Sequence, residues 1–251
     1  MELRQRFNST SKQIYCSHSL ENVWKNLSII LPKIGDKKQL IDLSLHNAKY
    51  MLLDQQKQKM NNKERVNNKR VLEQLQKDLR LLERPRHIEC FDNSNIQGNN
   101  PVAACVVFKN AKPSKRDYRH FNIKTVVGPD DFASMEEVVY RRYKRLLEEE
   151  QSLPELIVID GGKGQLSSAV KSLDKLKLRG KIAIIGIAKR LEEIYFPGDS
   201  VPLYLDKRSE SLKLIQQLRD EAHRFGITHH RKHSGTDNLG TSHNKIEGIR
   251  T

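Results

Sequence analysis

Read for alternation of apolar and polar positions, the chain divides into a long polar stretch and a compact series of apolar ones. From Asp36 to about Glu83 there is no Pro or Gly. Leu40, Leu43, Ala48, Leu52, Val71, Leu75, Leu79 and Leu82 recur there at roughly helical spacing, which predicts one or two long helices. The middle of that stretch, Gln55 to Lys69, has almost no apolar residues and reads as a joint. Before it, Val23 to Leu31 (VWKNLSIIL) predicts a strand stopped by Pro32 and Gly35. Pro85 closes the helical region.

From His87 the pattern changes. Ile88 to Gly98 (IECFDNSNIQG) reads as a strand running into turn formers. Val102 to Phe108 (VAACVVF) is apolar enough to be buried on both faces. Lys112 to Lys115 predicts a turn and Tyr118 to Ile123 a third strand, so the three make an antiparallel meander. Gly128 to Asp131 leads into a helix whose stripe is Val139, Tyr143 and Leu146, and Ser134 with Glu137 forms a capping-box pattern. Leu156 to Ile159 predicts a buried strand ending in Asp160, Gln165 to Leu178 a helix, and Lys181 to Ala188 another buried strand. Leu191 to Leu205 reads as a hairpin, Ser211 to Phe225 as a helix, and the residues from Ser234 as disordered tail. This order, β-β-β-α-β-α-β-hairpin-α, predicts an α/β fold. It fits a ribonuclease-H-like mixed five-stranded sheet of three antiparallel and two parallel strands, flanked by helices, with a mainly helical lead-in. The expected divisions are 1–85 for the lead-in, 86–232 for the nuclease-like domain and 233–251 for a flexible tail.

Charge narrows the partner. Lys and Arg number 45 against 31 Asp and Glu, a formal net charge of +14, which favours a polyanion, nucleic acid before anionic membrane. Three cysteines with no C-x-x-C pair argue against a disulfide framework or a cysteine zinc site. No apolar run reaches the ~18 residues of a membrane span, and no signal peptide opens the chain, so a cytoplasmic location is expected.

Two carboxylates stand out. Asp92 lies in the first core strand and Asp160 at the C-terminal end of the fourth, where open α/β sheets bind ligands. In the expected sheet those strands are neighbours, so the two acids meet across one strand spacing. Such a pair repels unless it shares a cation, and Mg²⁺ or Mn²⁺ would serve, giving a centre able to hydrolyse a phosphodiester. Strand-end aspartates also act as plain caps. His223, about 100° from Ala222 on the last helix, falls off the apolar stripe and shares a face with Gln216, Arg219 and Asp220. It reads as a ligand or proton carrier, or as a surface histidine. Asp131 reads equally as an N-cap or an auxiliary site carboxylate. Gly161 to Gln165 (GGKGQ) matches neither a P-loop nor G-x-G-x-x-G, so no nucleotide cofactor is expected. Lys163 in that loop, with Lys189, Arg190, Arg219 and Arg231, are candidate phosphate contacts. His229, His230 and His233 have no regular metal-ligand spacing.

From about Glu2 to Thr228 the chain resembles the C-terminal half of the UvrC family, the incision component of the bacterial UvrABC excinuclease. The motifs IECFDNSNIQG, GPDDFASM, LIVIDGGKGQL and LRDEAHRFGI carry that resemblance together. It implies a ribonuclease-H-like endonuclease that makes the incision 5′ to a lesion in nucleotide excision repair, with a divalent metal. It assigns Asp92, Asp160 and His223 as the metal-binding catalytic set and Asp131 as a further acid required for incision. Damaged double-stranded DNA is the implied substrate, and UvrB, the helicase component of the excinuclease, is the implied partner of the full-length protein. The family's GIY-YIG nuclease, helicase-binding segment and tandem helix-hairpin-helix have no counterpart here. Ile246 to Arg250 (IEGIR) looks like the start of the first hairpin. The chain is therefore expected to be a fragment with weak, salt-sensitive DNA binding. Two alternatives are another ribonuclease-H-like nuclease and a non-catalytic module that docks repair partners or DNA.

Overall fold

The computed structural model describes residues 5–19, 27–94, 102–124, 126, 130–188 and 192–237. The chain forms two compact units, Met1–Arg65 and Val66–Thr251. In the first, strands β1 (Gln13–Tyr15) and β2 (Ser28–Ile30) pair in parallel. Residues 20–26, which include the start of the expected strand, lie outside the described residues. Helix α1 (Asp36–Asp78) follows Gly35, whose carbonyl accepts from Lys38 N and Gln39 N at 3.0 and 3.2 Å. It is one unbroken helix through Gln55–Lys69, where the sequence suggested a joint. Side-chain bonds such as Gln58 Nε2 to Asp54 Oδ2 at 2.8 Å span single turns there, and no Gly or Pro interrupts. Its expected apolar stripe is largely exposed in the first unit, where Leu40, Leu43 and Leu52 face solvent. In the second unit Leu72 and Leu75 are buried in the core.

The second unit holds the main sheet. Its strands are β3 (His87–Ser94), β4 (Val102–Lys109), β5 (Lys112–Pro113), β6 (Arg119–Asn122), β7 (Leu156–Asp160), β8 (Ala183–Ala188) and β9 (Glu193–Tyr195). They lie in the order β5-β4-β3-β7-β8-β9, with β6 on β4. β3 is antiparallel to β4 and parallel to β7, and β7 is parallel to β8. A parallel centre is buried on both faces, which is why all of β7 and most of β4 and β8 are inaccessible, and why β7 is apolar up to its last residue, Asp160. Helices α2 (Asp131–Glu148) and α3 (Lys163–Lys175) pack together, and α4 (Glu210–Asp237) packs against β3, β4 and β7. Side chains alternate along β3, so Glu89 and Phe91 face α2 while Cys90 and Asp92 face α4.

Three expectations are corrected in detail. The cap of α2 is Asp130, whose Oδ1 accepts from Phe132 N and Ala133 N at 3.0 Å each. Ser134 is buried inside the first turn, and Glu137 accepts instead from Lys124 N. A carboxylate four residues earlier reached the free amides first. The expected hairpin is reduced to β9, antiparallel to β8, plus a bridge in which Ile194 and Leu203 exchange bonds of 3.1 and 2.7 Å. Pro197, Gly198 and Pro202 limit pairing to that one step. Helix α4 runs to Asp237, well past Phe225 and across Ser234, while 238–251 lie outside the described residues.

Candidate metal centre

The parallel pairing of β3 with β7 sets Phe91 beside Ile159. One residue on, Asp92 and Asp160 emerge on the same face at the carboxyl ends of adjacent strands. β7 stops there because the chain turns at Gly161, whose N–H donates to Ile187 O at 3.0 Å. That turn packs against Gly186 of β8, where a Cβ would stand 2.9 Å from Gly161 O and 3.2 Å from Leu166 Cβ. Only a bare backbone allows so close an approach. α4 crosses this face with Leu218 and Ala222 buried, which swings His223 over the strand ends.

The result is a cluster in which Asp92, Asp160 and His223 each offer a ligand atom, all within 4.8 Å of one another. Asp92 and Asp160 are 2% and 3% exposed, whereas the His223 side chain is 50% exposed. His223 Nδ1 lies 3.1 Å from Asp92 Oδ2. The negative field reaches inward: the Cys90 thiol, on the same face of β3, is pushed up by burial and further by Asp160 and Asp92. Two buried carboxylates held this close are costly without a cation between them. Oxygen donors with one imidazole suit Mg²⁺ or Mn²⁺, whose ligand bonds of about 2.1 Å fit the span. The residues present fit such an ion.

The other sequence candidates fare differently. Asp131 opens α2 next to the cap, and its carbonyl accepts from Asn93 Nδ2 at 2.8 Å. Its backbone is thus tied to the neighbour of Asp92, while its carboxylate stands outside the converging set. Lys163 Nζ donates to Ser200 O at 2.5 Å and lies 5.0 Å over the Tyr195 ring. Arg219 donates to Asp220 Oδ1 at 2.9 and 3.0 Å. Lys189 and Arg190 lie outside the described residues, as does the side chain of Arg231.

Sequence reasoning missed a third buried carboxylate. Glu89, fully inaccessible, accepts from Arg142 Nη2 at 2.6 Å, Arg142 Nε at 3.3 Å and Tyr143 OH at 2.9 Å, with His87 Nε2 at 3.3 Å. Burial alone would raise its pKa. The His87 imidazole close by and the hydrogen bonds and charge of Arg142 outweigh that and hold it at about 2. Arg142 is raised in turn by Glu89, against the pull of its own burial. A glutamate inside an apolar strand was the available signal, since such a charge has to be paired.

A cavity of about 720 Å³ away from this site lies between Leu79–Glu83 and Arg179–Ile184. It opens at the starts of β7 and β8, the opposite end of the sheet from the carboxylates, and among the described residues it gathers no ligand-type cluster.

Residues 76–227, which contain the whole sheet and the cluster, match the UvrC RNAse H endonuclease domain. The chain belongs to that family. It is 64% identical over 250 residues to UvrABC system protein C of Flavobacterium johnsoniae, covering 99% of this chain and 42% of that protein. The corresponding protein of Porphyromonas gingivalis strain W83 is 54% identical over 253 residues, again 99% of this chain and 42% of the relative. The chain therefore spans about two fifths of these UvrC proteins. It also aligns with a crystal structure of human endonuclease V at 13% identity and a TM-score of 0.39, over 67% of this chain and 99% of that one. The mixed sheet flanked by helices is the ribonuclease-H-like architecture of the family, with seven strands where five were expected, because short strands β5 and β9 add to its edges. No helix among the described residues is long and apolar enough to cross a membrane.

Proposed function

We propose that this UvrC segment carries a divalent-metal-dependent DNA endonuclease centre that makes the incision 5′ to a lesion in nucleotide excision repair. The observation that carries the reading is the convergence of Asp92, Asp160 and His223 at one sheet end within 4.8 Å. Asp92 and Asp160 are the anionic ligands, buried so that water does not screen their charge. His223 is the half-exposed member, positioned as a ligand or proton carrier. With its Nδ1–H donating to Asp92, Nε2 is the basic nitrogen left to meet a phosphodiester or its leaving oxygen. Mg²⁺ or Mn²⁺, held by these residues, would polarise the phosphate and lower the pKa of an attacking water. Asp131 supports the centre from α2 through the Asn93 contact. Lys163 and Arg219 reach phosphates by exchanging their present partners for DNA, and Lys189, Arg190 and Arg231 are further contacts of that kind.

In this reading residues 86–232 are the nuclease domain, 1–85 the lead-in and 233–251 the beginning of a helix-hairpin-helix region. The substrate is damaged double-stranded DNA, the partner is the UvrB helicase, and the setting is the cytoplasm. A docking role is the second reading. It is favoured by the exposed Leu40, Leu43 and Leu52 of α1. Nicking of a 5′-labelled bubble duplex with Mg²⁺ or Mn²⁺ separates the two. Metal-dependent nicking by the wild type and none by Asp92→Ala supports the nuclease. A folded wild type that binds DNA without nicking it favours docking, and nicking that survives in Asp92→Ala puts the centre elsewhere.

A further inference from the structure

Phe132 stands in the first turn of α2, yet its residue is 55% exposed. An aromatic ring left in water forgoes roughly 1.5–3 kcal/mol of burial, so its placement calls for a reason. The placement is defined by the backbone. Phe132 N is fixed on the Asp130 cap, and one edge of the ring lies against Gly164 in the first turn of α3. A Cβ at Gly164 would stand 2.3 Å from Phe132 Cε1 and 2.8 Å from Cζ, so any larger residue there would displace the ring. With Asp130, Asp131, Gly162, Gly164 and Gln165, Phe132 lines an open cavity of about 690 Å³.

The chain ties the lining of this cavity to the Asp92–Asp160–His223 cluster at two points. Gly162 is two residues from Asp160, and Asp131 O is held by Asn93, the neighbour of Asp92. Its chemistry is that of a flat, donor-bearing ligand. One wall is an aromatic face, and Gly162 and Gly164 leave the backbone bare beside it. Asp130 and Asp131 make it a poor place for a phosphate, whereas carboxylate and amide oxygens accept well from the amino groups of base edges. A ring face next to a nuclease centre stacks any base, whatever its identity.

We propose that Phe132 stacks on a nucleobase drawn out of the helix beside the scissile phosphate, and that this cavity is a base-holding subsite of the nuclease. The inference rests on the reading of the Asp92 cluster as a DNA nuclease centre. Holding one base there would fix the strand's register over Asp92 and Asp160 and would favour duplexes that are already unpaired. Phe132 is then a positioning residue for the cut.

The test uses bubble duplexes carrying 2-aminopurine at successive positions across the cut, with Ca²⁺ in place of the catalytic ion. The wild type is expected to quench one position selectively. Phe132→Leu is expected to lose that quench and bind the duplex about 5- to 100-fold more weakly. Phe132→Trp should keep both, and Mn²⁺ affinity should be the same in all three proteins. No selective quench by the wild type, or an equal quench in Phe132→Leu, overturns the proposal. A Phe132-dependent quench in a protein that never nicks with Mn²⁺ would sustain the base subsite and sink the nuclease reading. Normal nicking with no Phe132-dependent quench would do the reverse.

Discussion

Two buried carboxylates stand three residues apart on β3 and have opposite fates. Glu89 faces α2, where Arg142, Tyr143 and His87 surround it with donors. Asp92 faces α4, where the half-exposed His223 is its neighbour and Asp160 adds a second negative charge. Both carboxylates are inaccessible, so burial does not separate them. What separates them is the kind of side chain gathered around each. Donors converge on Glu89. At Asp92 a second carboxylate, Asp160, and the half-exposed imidazole of His223 converge instead. A buried pair such as Glu89 with Arg142 holds elements together. Two carboxylates and an imidazole converging at one sheet end are a grouping that can hold a cation.

Neutralising one carboxylate at each site should have opposite consequences. Asp160→Asn is expected to lower bubble-duplex nicking at least about a thousandfold, roughly 4 kcal/mol of transition-state stabilisation. Its thermal midpoint should be unchanged or higher, since one of two close like charges is gone. Glu89→Gln should behave the other way. It strands Arg142 in the interior and is expected to cost about 3 kcal/mol of stability, read by urea denaturation, with nicking by the folded fraction retained. Glu89 also fixes a pH dependence. Its folded pKa of about 2 lies below the ordinary 4.5, so its contribution is full above about pH 4.5 and lost as pH falls toward 2. The acid limb of wild-type stability should therefore be steeper than that of Glu89→Gln over that window.

Smaller changes sharpen the same contrast. His223→Ala is expected to reduce single-turnover nicking by about a hundredfold with little change in stability, because its side chain is half in solvent. Gly186→Ala presses a methyl onto Gly161 O and should cost about 1–2 kcal/mol. Nicking should fall a few-fold because the turn after Asp160 shifts, as a pH-independent loss in single-turnover rate would register.

Much of this geometry was legible in the chain. The apolar runs 102–108, 156–159 and 181–188 mark buried strands, and their order makes the strands of Asp92 and Asp160 neighbours. The off-stripe position of His223 took it out of the core but left a site role and a surface role equally open. The remainder depended on contacts remote in sequence. Glu89 finds Arg142 fifty-three residues later, and Lys163 finds the Ser200 carbonyl thirty-seven residues later. Neither separation leaves a periodic trace. The cap of α2 was ambiguous for a local reason: Asp130, Asp131 and Ser134 are all good caps, and backbone geometry chose Asp130. The polar stretch of α1 misled differently. Few apolar residues means little burial, but without Gly or Pro the helix continues.

Titration with Mn²⁺, followed by calorimetry on the wild type, Asp92→Asn and Glu89→Gln, decides whether the Asp92 cluster holds the metal. Wild type and folded Glu89→Gln should bind alike, and Asp92→Asn should bind at least about a hundredfold more weakly. Equal binding by Asp92→Asn and the wild type would contradict the assignment of the metal to the Asp92–Asp160–His223 cluster.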